Sequence, residues 1–202
     1  DTGCARGKGG SMHLIDLNSG FIAAVPLVGS IIPIAVGLAW GNKLKNSKKI
    51  VVVFFGDGTT EEGVFFESVN FATIKKLPVV FICENNFYSV YSSLELRQSK
   101  KRIIHKLVKG HGITSFVGDG NDVEEVDKIV RKSIKYINNS KKPAFIEFKT
   151  YRWLEHCGPN FDNDFGYRSE KEFEKWKSRE PIKRLKNKIG KKFYKNIKNI
   201  EF

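Results

Sequence analysis

Two short polar motifs follow two apolar runs in this sequence, and their residue types are suited to holding a metal ion. Gly56-Asp57-Gly58 comes directly after the apolar run 50–55, and Asn85-Asn86 comes shortly after the run 79–83. Parallel strands end at the same edge of their sheet, so the two motifs are predicted to lie together. A carboxylate and an amide oxygen suit a hard divalent cation that keeps its other sites for phosphate oxygens. The spacing therefore predicts a metal-assisted phosphate site.

The loop at residues 56–60 is predicted to contact the phosphate. It joins a predicted strand to a predicted helix, and helix N-termini direct unpaired N–H groups at that edge of an open α/β sheet. Gly58 lacks the Cβ atom that would keep an anion away. Either motif alone is typical of an ordinary turn or loop. Both together, each after a buried run and with a helix between them, favour a site to which Asp57 and Asn86 contribute oxygen ligands.

A second Gly-Asp-Gly tripeptide, at residues 118–120, provides an internal comparison. It precedes Asn121, Asp122 and a predicted helix, but no Asn-Asn pair follows a strand at a matching distance. We interpret this copy as a turn followed by a helix N-cap, which either Asp122 or Asn121 supplies.

The order of predicted elements indicates an α/β fold, an open parallel sheet with helices on both faces. Continuous apolar runs are typical of strands covered on both sides, and strands that alternate with helices indicate crossover connections. We expect residues 1–168 to form one ligand-binding domain and residues 169–202 to form a charged helical extension. Predicted strands cover 50–55, 79–83, 114–117 and 144–151, predicted helices cover 31–44, 61–76, 99–109 and 122–138, and residues 152–168 form a polar loop. His105 and His111 lie on or just after the surface helix 99–109, so we expect both to be exposed.

Composition narrows the function classes. The 202 residues include only three cysteines, too few and too scattered for a disulfide framework or a zinc site, which favours a reducing, cytoplasmic compartment. No apolar stretch reaches the roughly 18–20 residues that a membrane span needs, so we expect no membrane partner. The net charge of +13 raises the alternative of nucleic-acid binding. Because the lysines are spread over helix faces and no nucleic-acid motif accompanies them, we expect no nucleic-acid partner.

Taken together, the motifs resemble those of the α subunit of thiamine-diphosphate-dependent 2-oxoacid dehydrogenases, the E1 component of the pyruvate, branched-chain and related complexes. The resemblance covers about residues 3 to 185. It is specific because several motifs occur in the same order. They are Gly-Cys-Ala-Arg-Gly-Lys-Gly-Gly-Ser-Met-His at 3–13, the two motifs above, Leu-Pro-Val-Val-Phe-Ile-Cys-Glu-Asn-Asn-Phe-Tyr at 77–88, Thr-Tyr-Arg at 150–152 ahead of His156, and Tyr-Arg at 167–168.

The resemblance implies a thiamine-diphosphate-binding fold with thiamine diphosphate and Mg²⁺ as cofactors. It implies that Asp57, Asn86 and the backbone carbonyl of Tyr88 bind the metal. It further implies that the loop holding Pro26 and Val28 meets the aminopyrimidine, with Val28 the better match. The remaining implied roles are diphosphate contacts from Gly56, Gly58 and Thr59, and a place for His156 near the cofactor and its adducts, where it acts in catalysis.

The implied reaction is oxidative decarboxylation of a 2-oxo acid, with transfer of the acyl group to a lipoyl group on an E2 partner. In this family a β subunit supplies the glutamate that activates the aminopyrimidine, so an E1 β-type partner, in an α2β2 assembly, is implied as well. Glu84, beside the metal strand, is a poor substitute. The family's α subunit has a further region before residue 3, so we expect this chain to be an N-terminally incomplete member.

Several alternatives stay open at this point. Pyruvate, branched-chain 2-oxo acids and acetoin are all candidate substrates, because the loop around His156 differs from the pyruvate type in length and composition. Cys157 stands where regulated members carry a phosphorylated serine, so kinase control there is not expected. Transketolase-like and acetolactate-type enzymes share the metal motif but lack the segment 3–13. A non-catalytic fragment of the same fold that docks on a β subunit is the alternative outside the enzymes.

Overall fold

The computed structural model describes residues 3–8 and 11–197. The strands within these residues are β1 (Val51–Gly56), β2 (Val79–Asn85), β3 (Tyr88–Ser89), β4 (Ser92–Ser93), β5 (Thr114–Asp119) and β6 (Ala144–Lys149). Four of them form a parallel sheet in the order β1, β2, β6, β5, and a short antiparallel hairpin pairs β3 with β4. The helices are α1 (Ile31–Leu44), α2 (Gly63–Ile74), α3 (Leu94–Arg97), α4 (Ile104–Gly110), α5 (Val123–Ser140), α6 (Glu170–Lys177) and α7 (Pro181–Ile197).

The predicted α/β architecture is confirmed, because helices cover both faces of the parallel sheet. On one face, α1, α2 and α4 pack against a core that contains Val53, Phe65 and Phe81. On the other face, Ile137 of α5 packs against Ile82 and Ile146. Both clusters draw on β2 and β6, whose side chains are therefore buried on both sides, as their continuous apolar runs predict.

Strand β1 departs from the prediction of two covered faces. Its side chains alternate between buried and exposed, and Phe54 is 58% exposed. It lies at the edge of the described sheet, with β2 as its hydrogen-bonded neighbour. An apolar run therefore identified the strand correctly but overstated how far the described residues cover it.

The register of the central strands fixes the relative heights of the two polar motifs. Gly56 at the end of β1 lies opposite Glu84 of β2, and Asn85 lies opposite Lys149 of β6. The chain therefore leaves β1 at Asp57 and β2 at Asn86 from neighbouring positions on one edge of the sheet.

Several helix predictions need adjustment. Helix α1 has its predicted bounds, but α2 begins at Gly63, because residues Asp57–Glu61 form a 3₁₀ turn ahead of it. The predicted helix 99–109 is wrong at its start: α3 ends at Arg97, Gln98 is extended, and α4 begins only at Ile104. The prediction for the second Gly-Asp-Gly copy is confirmed, since the Asp122 side chain accepts the backbone N–H groups of Glu124 and Glu125 at the start of α5.

The described part of the C-terminal segment contains helices α6 and α7, and α6 packs on the main body. Tyr151, Phe173 and Trp176 form a small buried cluster that joins α6 to the end of β6. Helix α7 is kinked at Gly190, where φ is 77°. A domain boundary at residue 168 stays a prediction, and residues 198–202 of the predicted extension lie outside the described part. No described helix is both long enough and apolar enough to cross a bilayer.

The core predicts a large difference between two phenylalanines. Phe65 is fully buried against the rings of Phe55 and Phe145, whereas Phe54 is mostly exposed. Phe65→Ala should lower the free energy of unfolding by about 3–5 kcal/mol, because it leaves a cavity in the packed face. Phe54→Ala, the matched control, should cost far less. Urea unfolding measures both, and equal losses for the two variants would contradict this account of the core.

Candidate functional site

The carboxylate of Asp57 is the centre of the candidate site. The residue follows β1 directly and is fully buried, and its Oδ1 atom has no hydrogen-bond partner among the described residues. Burial raises the pKa of Asp57 above its ordinary value, although Arg97 and the backbone N–H groups of Asp57 and Asn86 lower it in part. A buried carboxylate oxygen without a partner is costly, and a bound cation would satisfy it.

Arg97 supplies the positive charge that Asp57 meets in this structure. Its Nη2 donates to Asp57 Oδ2 at 2.5 Å, its Nη1 donates to Glu61, and its Nε donates to the carbonyl of Ser92 at 3.1 Å. Gln98 also donates to Glu61, at 2.6 Å. Sequence reasoning missed Arg97 because nothing in a short helix forty residues away in the chain shows which carboxylate it reaches.

Asn86 lies on the tight turn that joins β2 to Tyr88, the first residue of β3. The Asn85 and Asn86 side-chain oxygens accept the backbone N–H groups of Phe87 and Tyr88, both at 3.0 Å, and Phe87 adopts a left-handed conformation with φ 69°. The Tyr88 hydroxyl donates to Glu172 of α6 at 2.6 Å. Burial and the Glu172 carboxylate raise the pKa of that hydroxyl. The parallel pairing of Gly56 with Glu84 places Asp57 and Asn86 at the same edge of the sheet. The metal roles of Asn86 and Tyr88 stay predictions.

The loop after β1 is shaped closely around Gly58. A Cβ atom at this position would lie 3.0 Å from Ser89 Oγ and 3.7 Å from Arg97 Nη1. Thr59 is buried, and the hydroxyl of buried Thr60 donates to the Asp57 carbonyl at 2.7 Å. The N–H groups available to an anion therefore belong to a 3₁₀ turn, whereas the sequence predicts that the first turn of α2 supplies them.

The loop containing Pro26 and Val28 packs beside the loop that follows β1. Both residues are exposed, and Gly29 after them has φ 88°. A Cβ atom on Gly29 would lie 3.1 Å from Val64 and 3.3 Å from Glu62, so this loop packs against the start of α2. Contact of Val28 with an aminopyrimidine stays a prediction.

The loop that carries His156 is held at its base by a buried ion pair. Arg168 pairs with Asp162, and both side chains are almost completely inaccessible to solvent. Arg168 also donates to the carbonyls of Arg152 and Trp153, at 2.6 and 3.3 Å, and the Tyr167 hydroxyl donates to Asp162. Burial raises the pKa of Asp162, but its hydrogen bonds with Tyr167 and Arg168 outweigh that effect and hold the pKa below its ordinary value.

His156 itself is exposed, in a turn closed by Glu155. The Glu155 carboxylate accepts from the backbone and side-chain nitrogens of Asn160, at 3.2 and 3.0 Å. Among the described residues His156 has no hydrogen-bond partner, and the structure does not bring it into contact with Asp57. A catalytic role for His156 stays a prediction.

Two other histidines, His105 and His111, are predicted from the sequence to be exposed. His111 is exposed, but His105 is only 25% exposed at its side chain, because its ring contacts the carboxylate of Glu147 at 2.7 Å. The prediction for His105 is wrong, because sequence alone does not show that β6 carries a buried acid beside α4.

The donor set around Asp57 fits Mg²⁺ better than a softer metal. In residues 3–8 and 11–197, no group of three or more His, Cys, Asp and Glu side chains is arranged to hold a metal. A cation at this edge would rely on the free oxygen of Asp57, on neutral amide and carbonyl oxygens, and on oxygens of a phosphate ligand. That mixture of oxygen ligands is typical of Mg²⁺.

Comparison with known proteins identifies the family to which this chain is similar. A family model described as the dehydrogenase E1 component matches residues 2–198. The pyruvate dehydrogenase E1 component subunit alpha of Rickettsia bellii is 37% identical over 185 residues, which cover 92% of this chain and 56% of that protein. The proteins of the same name from Porphyra purpurea and Zymomonas mobilis are 35% and 33% identical. They are covered over 56% and 51% of their lengths, with 94% and 92% of this chain matched.

The chain thus spans about half the length of the curated relatives it matches. A solved structure of a candidate thiamin diphosphate-dependent enzyme from Mycobacterium smegmatis matches with a TM-score of 0.53 and 20% identity. The match covers 66% of this chain and 24% of the other, and at this identity it supports the fold alone. Gly9 and Gly10 of the motif at 3–13 lie outside the described residues.

The buried pair below the His156 loop predicts a strong effect of charge removal. Asp162→Asn should lower the free energy of unfolding at neutral pH by about 3–5 kcal/mol, because Arg168 is left buried without a counter-charge. Asp127→Asn, which removes an exposed partner of Arg131, is the control and should change stability little. Urea unfolding gives both values, and a neutral effect of Asp162→Asn would contradict the assignment.

The same pair sets a pH dependence. Because the native pKa of Asp162 is lowered, its carboxylate stabilises the fold fully above the unfolded value of about 4. That contribution is lost as pH falls through the native pKa. The unfolding free energies of the wild type and of Asp162→Asn should therefore converge in acid, and a constant difference down to low pH would rule this out.

Proposed function

This chain belongs to the dehydrogenase E1 component family, and from that membership we propose that it acts as an E1 α-type subunit that binds thiamine diphosphate through Mg²⁺. One observation carries the proposal. The buried Asp57 carboxylate lies at the carboxyl edge of the parallel sheet, with one oxygen unpartnered among the described residues and the turn of Asn86 beside it. That is where an open α/β sheet binds its ligand.

Each residue of this edge has a separate task in the proposed site. Asp57 would neutralise the metal, and Asn86 and the carbonyl of Tyr88 would complete the protein ligands. The close approach of Ser89 favours glycine at position 58, and the backbone N–H groups of Gly58 and Thr59 would contact the diphosphate. Thiamine diphosphate held by these residues would supply an acceptor for the electron pair that is released when a 2-oxo acid loses carbon dioxide.

The chain's own contribution to the reaction would be orientation and exclusion of water. The loop of Pro26 and Val28, packed on the start of α2, provides apolar surface for the organic part of the cofactor. His156 lies exposed on the loop that the Arg168–Asp162 pair anchors, and it would contact substrate or acyl groups bound at the cofactor. Its exposure leaves the imidazole free to hold or transfer a proton once a partner chain encloses the loop.

We further propose a β-type subunit as partner, a 2-oxo acid as substrate, and a lipoyl group on an E2 protein as acyl acceptor. Glu84 lies on β2, in the strand that leads into the proposed metal turn, and partial desolvation raises the pKa of its carboxyl. Because Glu84 lies on the strand that leads into the metal turn, we propose that a glutamate from the β-type partner activates the cofactor instead. The names of the relatives favour pyruvate over branched-chain acids or acetoin.

The metal assignment predicts the effect of Asp57→Asn. This variant should lower the Mg²⁺-dependent affinity for thiamine diphosphate by more than about 100-fold, because it removes the negative charge that the proposed site would offer the metal. Isothermal titration on the protein with its β-type partner, with and without Mg²⁺, measures this loss. Circular dichroism should show that the fold is retained.

Asp119→Asn, in the second Gly-Asp-Gly copy, is the matched control. Asp119 pairs with Arg179 and Arg184 in the turn before α5, so this variant should keep cofactor affinity even where its stability falls. Wild-type affinity in Asp57→Asn, or an equal loss of affinity in both variants, would defeat the metal assignment.

The histidine assignment predicts a different pattern. His156→Ala should bind thiamine diphosphate and Mg²⁺ normally, but it should slow decarboxylation or acyl transfer by about 10²–10⁴-fold in the assembled enzyme. His111→Ala, at an exposed histidine after α4, provides the control and should turn over normally. Unchanged turnover in His156→Ala would remove this residue from the mechanism.

A further inference from the structure

A second buried acid lies close to the candidate site. Glu147, in the middle of β6, is only 3% exposed, and it lies opposite Cys83 of β2 in the sheet. Burying a carboxylate costs free energy unless hydrogen bonds satisfy its oxygens. The proposed reaction assigns no role to Glu147, so its hydrogen bonds must offset the cost of burying its carboxylate.

Both oxygens of Glu147 accept hydrogen bonds. Oε1 accepts from the side-chain amide of Asn85 at 2.8 Å. Oε2 accepts from the backbone N–H of His105 at 3.0 Å and contacts the ring nitrogen Nδ1 of the same residue at 2.7 Å. Glu147 therefore ties the end of β2 to the first turn of α4.

The bond to Asn85 also fixes which way that amide faces. An ionised carboxylate only accepts, so the Nδ2 atom of Asn85 must face Glu147 and the Oδ1 atom must face away. That Oδ1 atom accepts the backbone N–H of Phe87 at 3.0 Å, and the Asn85 carbonyl accepts from the Thr150 N–H at 3.0 Å. The amide of Asn85 is thus held at both ends, and it holds the turn that follows.

The turn held in this way carries the proposed metal ligands. Asn86 lies between Asn85 and Phe87, and Tyr88 comes next in the chain. Phe87 has a positive φ, a conformation that a residue with a side chain adopts at a cost unless neighbouring contacts fix it. The hydrogen bond from Phe87 to Asn85 is such a contact, and Glu147 determines that the Asn85 oxygen is available to accept it.

We propose that Glu147 is a positioning residue for the metal site: through the Asn85 amide it holds the Asn86–Tyr88 turn in the geometry that binds Mg²⁺. This inference rests on the proposed function, because it assigns the metal to that turn. His105 stabilises the second oxygen of Glu147 and so keeps the first aimed at Asn85. Second-neighbour contacts of this kind change metal affinity by about 10–100-fold.

The test reverses the polarity of one hydrogen bond. Asn85→Asp places two carboxylates against each other, and Glu147→Gln gives the donors of Asn85 and His105 only one acceptor oxygen to share. Each single variant should lower Mg²⁺-dependent thiamine diphosphate affinity about 10–100-fold. In the double variant, the introduced amide at position 147 can donate to the introduced carboxylate at position 85, while the amide oxygen accepts from His105. Most of the affinity should then return.

Isothermal titration on the protein with its β-type partner, at a temperature where every variant is folded, gives the affinities. Glu67→Gln, an exposed glutamate of α2, is the control and should bind as the wild type does. Thermal unfolding is recorded alongside, because a residue that only stabilises the fold would lower the melting temperature without changing affinity. If a single variant fails to fold, affinity of the folded double variant decides the question.

Reduced cofactor affinity in both single variants, with most of the affinity restored in the double variant, would support the positioning role. Single variants that bind like the wild type, or a double variant as weak as the singles, would overturn it. Failure of the proposed function gives a separate result: the wild type would then show no Mg²⁺-dependent binding, or Asp57→Asn would bind as well as the wild type.

Discussion

The parallel pairing of β1 with β2 is the constraint on which the rest of the site depends. It places the chain exits at Asp57 and Asn86 side by side on one edge of the sheet. If the two strands ran antiparallel, the two turns would lie at opposite edges of the sheet. A shift of one residue in the register would instead reverse which face of the sheet each side chain occupies. The apolar packing of α1, α2 and α5 on the two faces maintains that register.

Buried charge is the second organising feature. Within the described residues, Asp57, Glu147 and Asp162 are buried acids, and each meets partners of a different kind. Asp162 is fully paired with Arg168 and braces a loop, whereas Glu147 accepts hydrogen bonds from Asn85 and His105 and orients a turn. Asp57 keeps one oxygen without a described partner. A buried charge is tolerated only where something compensates it. Asp162 and Glu147 are compensated by other parts of the fold, whereas Asp57 is the buried acid best placed to bind a cation.

Much of this could be predicted from local patterns. The apolar runs identified β1, β2 and β6, and the helix predicted over 31–44 has the bounds of α1, because residue types within a short segment reflect how that segment is buried. The failures occurred where distant side chains decide the local structure. Residues 99–103 of the helix predicted over 99–109 are not helical, and Arg102 among them donates to the carbonyl of Thr60; His105 is partly buried because it contacts Glu147. Neither partner can be recognised from the neighbouring sequence.

The sequence by itself determined the fold class, the family and the two motifs that face the candidate ligand, because these depend on residue type and order along the chain. Tertiary structure alone decided that Arg97 pairs with Asp57, that Glu147 holds Asn85, and that Arg168 anchors the loop of His156. The first two of these contacts join residues 40 and 62 positions apart in the chain. Such contacts arise only when packing brings separate elements within hydrogen-bonding distance, and no local pattern encodes them.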